Sequence, residues 1–266
     1  MTKAGDILAY QQQVGAWVDW DNTPDRIVVG SAEVQVTDAA VAWIATCEAL
    51  REAASMGCQL FITHEPTFYV QDEELWGVDT WPEDAAAKKR FIEEQGLTVL
   101  RFHDTWDGMP EVGIPWAWAK FLGFENEPLA QTLHLQVRPV EEMTLEALAR
   151  HVASRTSALG EPAVQVVGDP QMRVSKIGTG TGCYSNPEEY CRLGADAGIL
   201  CDDGTSYWSN GLWGEDNSFG IVRVNHGTVE EPGVAALAPH LAEKFPDVTF
   251  HHIPQGCRFR FVSAQV

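Results

Sequence analysis

A chain of 266 residues with 45% hydrophobic content holds enough apolar material for one large domain or two smaller ones, which excludes disorder as its main state. Its 38 acidic against 18 basic residues give a formal charge of −20, a field that repels phosphate backbones and anionic lipid surfaces. Nucleic-acid and membrane partners are therefore not expected. The N-terminal residues lack a charged stretch followed by an apolar run, and no segment approaches the ~20 apolar residues of a membrane span, so a soluble, cytoplasmic protein is expected. Six cysteines without a CxxC pair or dense spacing indicate neither a zinc ribbon nor a disulfide scaffold, and most are expected to be reduced, buried and inert.

In chain order, a strand is predicted at 26–30, then a strand at 39–46 leading into a helix at 47–56, whose apolar residues recur at helical spacing. A strand at 59–63 stops at His64-Glu65-Pro66, and a helix at 84–95 leads to a strand at 97–102 that stops at His103-Asp104-Thr105-Trp106-Asp107. A short helix at 116–122 closes on Gly123. The pattern then restarts: a strand at 133–137, a helix at 145–156 introduced by Thr144, and strands at 164–167 and 174–177. Gly178-Thr-Gly-Thr-Gly182 lacks the lysine of a P-loop and the spacing of a dinucleotide fingerprint, so it reads as a tight strand-to-helix turn. A helix at 187–193, strands at 198–201 and 220–224, a helix at 234–245 and a strand pair at 248–252 and 257–262 complete the chain. The alternation predicts an α/β fold in two units, 1–125 and 126–266.

Three strands ending at Thr63, Phe102 and Val224 are each followed at once by a histidine: His64, His103 and, after Asn225, His226. Ligands of α/β sheets gather beyond the carboxyl ends of strands, and packing explains three such histidines poorly. Two carry a carboxylate four positions on, His103 with Asp107 and His226 with Glu230. Imidazole with carboxylate suits divalent zinc, manganese or iron, and carboxylates can bridge two ions. Glu65 is either a further ligand or a cap of the loop before Pro66, and Asp104 reads as an Asx-turn residue. Thr228-Val-Glu-Glu231 fits a capping box, which leaves Glu230 free to turn toward a metal. His134, His151, His240, His251 and His252 read as surface or satisfied core residues.

The motifs Trp20-Asp21-Asn22, Thr63-His64-Glu65-Pro66, His103-Asp-Thr-Trp-Asp107, the glycine run at 178–182 and Asn225-His226-Gly-Thr-Val-Glu230 stand in an order that resembles the Ngg-interacting-factor-three-like family. Its members are often catalogued as GTP cyclohydrolase I type 2 homologues. The resemblance runs from about Trp20 to the last strand. It implies two intertwined α/β domains with mixed sheets, a dinuclear metal site between them and a homohexameric ring. By position it implies Asp107 and Glu230 as bridging, catalytic carboxylates, His64 and His226 as terminal ligands and His103 close by. Glu65 departs from the second histidine of the family motif, and an anionic oxygen there favours manganese or iron over zinc. No clear match stands for the family's Thr-Gly-Glu segment; Cys201-Asp-Asp-Gly-Thr-Ser-Tyr207 occupies that region.

Two divalent ions would acidify a water and polarise a carbonyl, amidine or phosphoryl group, so metal-dependent hydrolysis of a small, nucleotide-like substrate is the expected chemistry. Trp106, Trp116, Trp118, Tyr207, Trp208 and Trp213 are candidates to stack on a planar base, or else to fill core and interfaces. The alternative of another class is a non-enzymatic, metal-binding or regulatory ring.

Overall fold

The computed structural model describes residues 1–263 apart from 76, 78 and 79. The first stretch contains α1 (Ala4–Val14), β1 (Ile27–Val29), β2 (Asp38–Ala42), α2 (Cys47–Ser55), β3 (Leu60–Thr63), α3 (Glu83–Glu94), β4 (Thr98–Arg101) and the single turn α4 (Asp104–Asp107). Then follow α5 (Ile114–Leu122), β5 (Ala130–Gln131), β6 (Leu135–Thr144), α6 (Leu145–Thr156), β7 (Gln165–Val167), β8 (Arg173–Gly180), α7 (Pro187–Arg192) and β9 (Ala197–Cys201). The chain ends with α8 (Leu212–Asp216), β10 (Gly220–Val224), α9 (His226–Lys244) and β11 (Thr249–His252). The contacts divide it into one unit of Met1–Met109 with Val234–Pro254, and a second of Pro110–Gly233 with Gln255–Val266. No described helix is long and apolar enough to cross a membrane.

The first unit is built on a five-stranded sheet ordered β1-β4-β3-β2-β11, parallel except for the β1–β4 pair. Its central strands read as continuous apolar runs because both faces are covered: Leu60, Phe61, Ile62, Val99 and Leu100 are all fully buried. The preceding strand stops at Ala42 and not at residue 46, and Thr46 instead caps α2 by accepting the Ala49 N–H at 3.0 Å. Helix α1 was not anticipated, because its apolar stripe is thinned by glutamines. One of these, Gln11, is buried and donates to the Arg101 carbonyl at 3.1 Å.

The second unit holds a six-stranded mixed sheet ordered β5-β6-β8-β9-β10-β7, in which β8, β9 and β10 run parallel. Strand β8 continues through Gly178 to Gly180, where a turn was expected. The fully buried Tyr190 ring lies against Gly178 and Gly198, and a side chain at either position would occupy its place. Helix α5 ends on Gly123 with φ +85°, the left-handed stop read from the sequence. Two further expectations fail. Residues 257–262 form no strand, and α9 begins at His226, so Thr228 and Glu231 lie inside a helix and make no capping box. All six cysteines are free, and Cys183 and Cys191 are exposed, against the expectation that most are buried.

Candidate metal centre

Parallel pairing of β3 with β4 sets Thr63 opposite Arg101, so the residues that follow, His64-Glu65 and Phe102-His103, leave the sheet side by side. His64 is buried, and its Nδ1 lies 3.0 Å from the Phe102 carbonyl. A carbonyl only accepts, so Nδ1 carries the proton and the Nε2 lone pair is presented at 3.4 Å to Oδ1 of the buried Asp107. With Nε2 unprotonated the two atoms are both acceptors, and a cation between them, a proton or a metal ion, stabilises the pair; the carbonyl fixes the imidazole as in protein metal sites.

His103 stacks on His64 with ring centroids 4.5 Å apart and planes 16° from parallel. Its Nδ1 is 2.8 Å from Asp104 Oδ1 and 3.5 Å from Asp107 Oδ2, and its Nε2 is 3.9 Å from Glu65 Oε1. Burial alone would lower the His103 pKa, but the charge of Asp107, with Asp104 and Glu65, more than offsets it and holds it raised. Burial pushes Asp104 upward, yet hydrogen bonds from His103 and from Thr23 Oγ1 at 2.8 Å leave it below the usual carboxylate range. Asp104 is thus a partner of His103, not only a turn residue.

Two residues outside the sequence-based ligand set hold this arrangement. The buried Asp25 accepts the His103 N–H, the Thr105 N–H at 2.8 Å and the Thr105 hydroxyl, capping the one-turn helix that carries Asp107. Burial holds its carboxyl above the ordinary range despite those bonds. Arg101 is buried too, donating from Nε to the His64 carbonyl at 3.1 Å while Nη2 lies 3.5 Å from Glu65 Oε2. The local signal for Asp25 lay in Trp20-Asp-Asn-Thr-Pro-Asp25, three residues beyond the end of the motif that was read.

In the second unit β10 delivers His226 and Glu230 on the first turn of α9, both buried, with His226 Nε2 3.1 Å from Glu230 Oε1. His226 Nδ1 meets Asp203 Oδ2 at 2.9 Å, and the His226 N–H donates to Asp202 Oδ1 at 2.8 Å. The Asn225 N–H donates to the Glu161 carboxylate at 3.0 and 3.1 Å. Burial opposes charge on His226, but Glu230 and Asp203 outweigh it and raise its pKa. The hydrogen bond from His226 in turn lowers that of Asp203. The Cys183 thiol is lowered to about 6 by hydrogen bonding with Cys201 and His226.

Gly182 closes this set. At φ +30°, a Cβ there would stand 2.6 Å from His226 Nε2 and would overlap Glu230 Oε1, while Thr181 Oγ1 donates to the same oxygen at 3.1 Å. Gly182→Ala is expected to push the imidazole and carboxylate apart and lower metal affinity by about 10-fold or more, as loss of an orienting partner does. Isothermal titration with manganese measures it, and parental affinity in the variant would remove Gly182 from the site.

Of the sequence-based candidates, His64, Glu65, His103 and Asp107 thus meet in the first unit, and His226 meets Glu230 in the second. The buried His64 and Asp107 with the half-buried Glu65, His103 and Asp104 can hold metal: His64, Glu65 and His103 offer donor atoms within 4.8 Å of one another, as do His103, Asp104 and Asp107. The aromatic candidates divide. Trp106 and Trp118 are fully buried in the core, which bars them from stacking on a ligand, whereas Tyr207 and Trp208 are exposed. Tyr207 lines a cavity of about 820 Å³ in the second unit, with Asp202, Asp203, Asn210 and Arg223.

Comparison with known proteins agrees with the order of motifs. The GTP cyclohydrolase 1 type 2 homolog of Chlamydia pneumoniae is 24% identical over 254 residues, 91% of this chain and 94% of that protein. That of Clostridium perfringens is 22% identical over 236 residues, 84% and 85% of the two chains. Among solved structures, Staphylococcus aureus protein SA1388 superposes with a TM-score of 0.80 at 18% identity over 98% of this chain and 99% of that one. The Bacillus cereus protein related to NIF3 gives 0.79 at 16% identity, again over 98% and 99%. The family model Duf34/NIF3 (NGG1p interacting factor 3) matches residues 5–255, and the chain belongs to that family.

Proposed function

We propose that the protein is a metal-dependent hydrolase of a small, nucleotide-like molecule, with two divalent ions held by His64, Glu65, His103, Asp107, His226 and Glu230. The observation that carries the reading is the pair of buried acceptors at 3.4 Å, His64 Nε2 and Asp107 Oδ1, with the imidazole oriented by the Phe102 carbonyl. Glu65 brings the first set to two carboxylates against two imidazoles, a harder set than one with a third imidazole, which favours manganese or iron over zinc. When bound, such ions supply Lewis acidity toward a polar bond and a more acidic water.

The chain's own groups do the rest. Asp107 and Glu230 bring buried negative charge to the ions, and Asp104 fixes the His103 ring through Nδ1. The cavity lined by Asp202 and Asp203, the hydrogen-bond partners of His226, is of a size for a small molecule, with the Arg223 charge, held by Gln165 and the Asp202 carbonyl, on its wall and Tyr207 offering a ring to a planar group. A homohexamer belongs to the same proposal and is read by analytical ultracentrifugation. The activity is tested by incubating manganese- or iron-loaded protein with a panel of nucleotides and phosphoesters and following product release by chromatography. Turnover that falls at least ~100-fold in Asp107→Asn supports the reading, and a panel left intact by metal-loaded protein overturns it.

A further inference from the structure

The carboxyl ends of three neighbouring parallel strands carry a second, chemically different donor set. In the order β8-β9-β10, Gly178 stands opposite Gly198, and Cys201 opposite Val224. Cys201 is the last residue of β9, Cys183 lies in the turn that leaves β8, and His226 opens the helix that leaves β10. The two sulfur atoms and a ring nitrogen of His226 all lie within 4.8 Å of one another. Sulfurs bound tetrahedrally at ~2.3 Å from zinc sit under ~4 Å apart, so small side-chain rotations close the set around one ion.

Each backbone piece is held in place. The Cys201 N–H donates to Ser185 Oγ at 2.9 Å. Gly204 packs so close to the Cys183 turn that a Cβ on it would stand 2.9 Å from the Cys183 carbonyl oxygen. The His226 N–H is anchored on Asp202 at 2.8 Å. Cys201 is buried and Cys183 exposed, so the set has a closed floor and an open side through which an ion can enter. Asp203, with a carboxylate oxygen 2.9 Å from His226 Nδ1, stands where it can orient the imidazole or fill a fourth position.

Two thiolates and an imidazole select a soft ion, whereas His64, Glu65 and Asp107 suit a harder one. We propose that Cys183, Cys201 and His226 form a thiolate-rich site for a zinc-type ion, whose binding displaces to solvent the protons that the thiols and the imidazole carry. His226 belongs to both donor sets, so a zinc-type ion held by the sulfurs takes that imidazole from the harder ions of the hydrolase reading; the site itself needs only the second unit's own strand ends. It would stand even if no substrate were turned over.

The test is cobalt(II) titration of the fully reduced protein, which reports sulfur ligation as an intense near-ultraviolet thiolate-to-metal absorption. The parent is expected to show the band, to lose it on addition of zinc, and to keep it in Glu230→Ala. Cys183→Ser, at an exposed position, should retain about half the intensity, one thiolate of two, and Cys183→Ser/Cys201→Ser none. A cobalt-loaded parent without the band overturns the proposal, as does a band unchanged in Cys183→Ser. A Cys183–Cys201 disulfide in air-exposed protein, with no band in reduced protein, overturns it as well.

Discussion

Replacing His64 or Glu230 by alanine is expected to strip the purified protein of metal while leaving its fold in place. Loss of a partner that only orients a ligand costs about 10–100-fold in affinity, so loss of a ligand itself should cost at least ~100-fold. His64 stands just beyond β3 and Glu230 near the start of α9, neither within a sheet, and both are buried beside a group of matching chemistry, Asp107 for His64 and His226 for Glu230. The apo fold should therefore tolerate the changes. Removing Glu230 also removes a buried charge whose desolvation the metal-free protein must sustain. Elemental analysis by mass spectrometry gives the ion count and circular dichroism the fold. Thermal melts with and without manganese give the linkage, since a ligand that binds only the native state raises the melting temperature. Full metal content in both variants would refute the assignment.

The second large effect is expected at Asp25, which touches no substrate. Asp25→Ala leaves the His103 N–H, the Thr105 N–H and the Thr105 hydroxyl without their acceptor in a buried place. Each such donor costs about 1–3 kcal/mol, and relief from a desolvated carboxyl returns part of the sum. A net loss of about 2–4 kcal/mol is expected, or a melting temperature lower by roughly 5–15 °C. Metal affinity should fall by about 10–100-fold, because α4 sets the position of Asp107 relative to His64. Asp25→Asn keeps an acceptor oxygen and should lie between parent and alanine variant. Calorimetry of the three proteins decides it, and an unchanged melting temperature for Asp25→Ala would remove the capping role.

How much of this was legible in the sequence depended on whether the partner of each group lay nearby. β3, β4 and β10 lie in short, mainly apolar, β-rich runs followed by polar segments, so His64, His103 and His226 were placed at strand ends from the local pattern. Thr46 and Thr144 cap helices through an amide three residues on, and those starts were readable too. The start of α9 was not. Its first amide is satisfied by Asp202, 24 residues upstream, so the local Thr228-x-x-Glu231 pattern pointed to the wrong place. The helical turn at Asp104–Asp107 was hidden in the same way, its acceptor being Asp25, separated by 80 residues from Thr105. Gly178 looked like turn chemistry because the ring it makes room for, Tyr190, belongs to a later helix.

Asp25, Asp202 and Glu161 grip the ligand-bearing segments by main-chain amides, and every residue type but proline has one. The scaffold of the candidate centre is thus indifferent to which side chain stands at the gripped position. A substitution at a gripped position can exchange one ligating side chain for another without rebuilding the loop that presents it. Preference for one element over another can then drift through single codons while the architecture stays fixed.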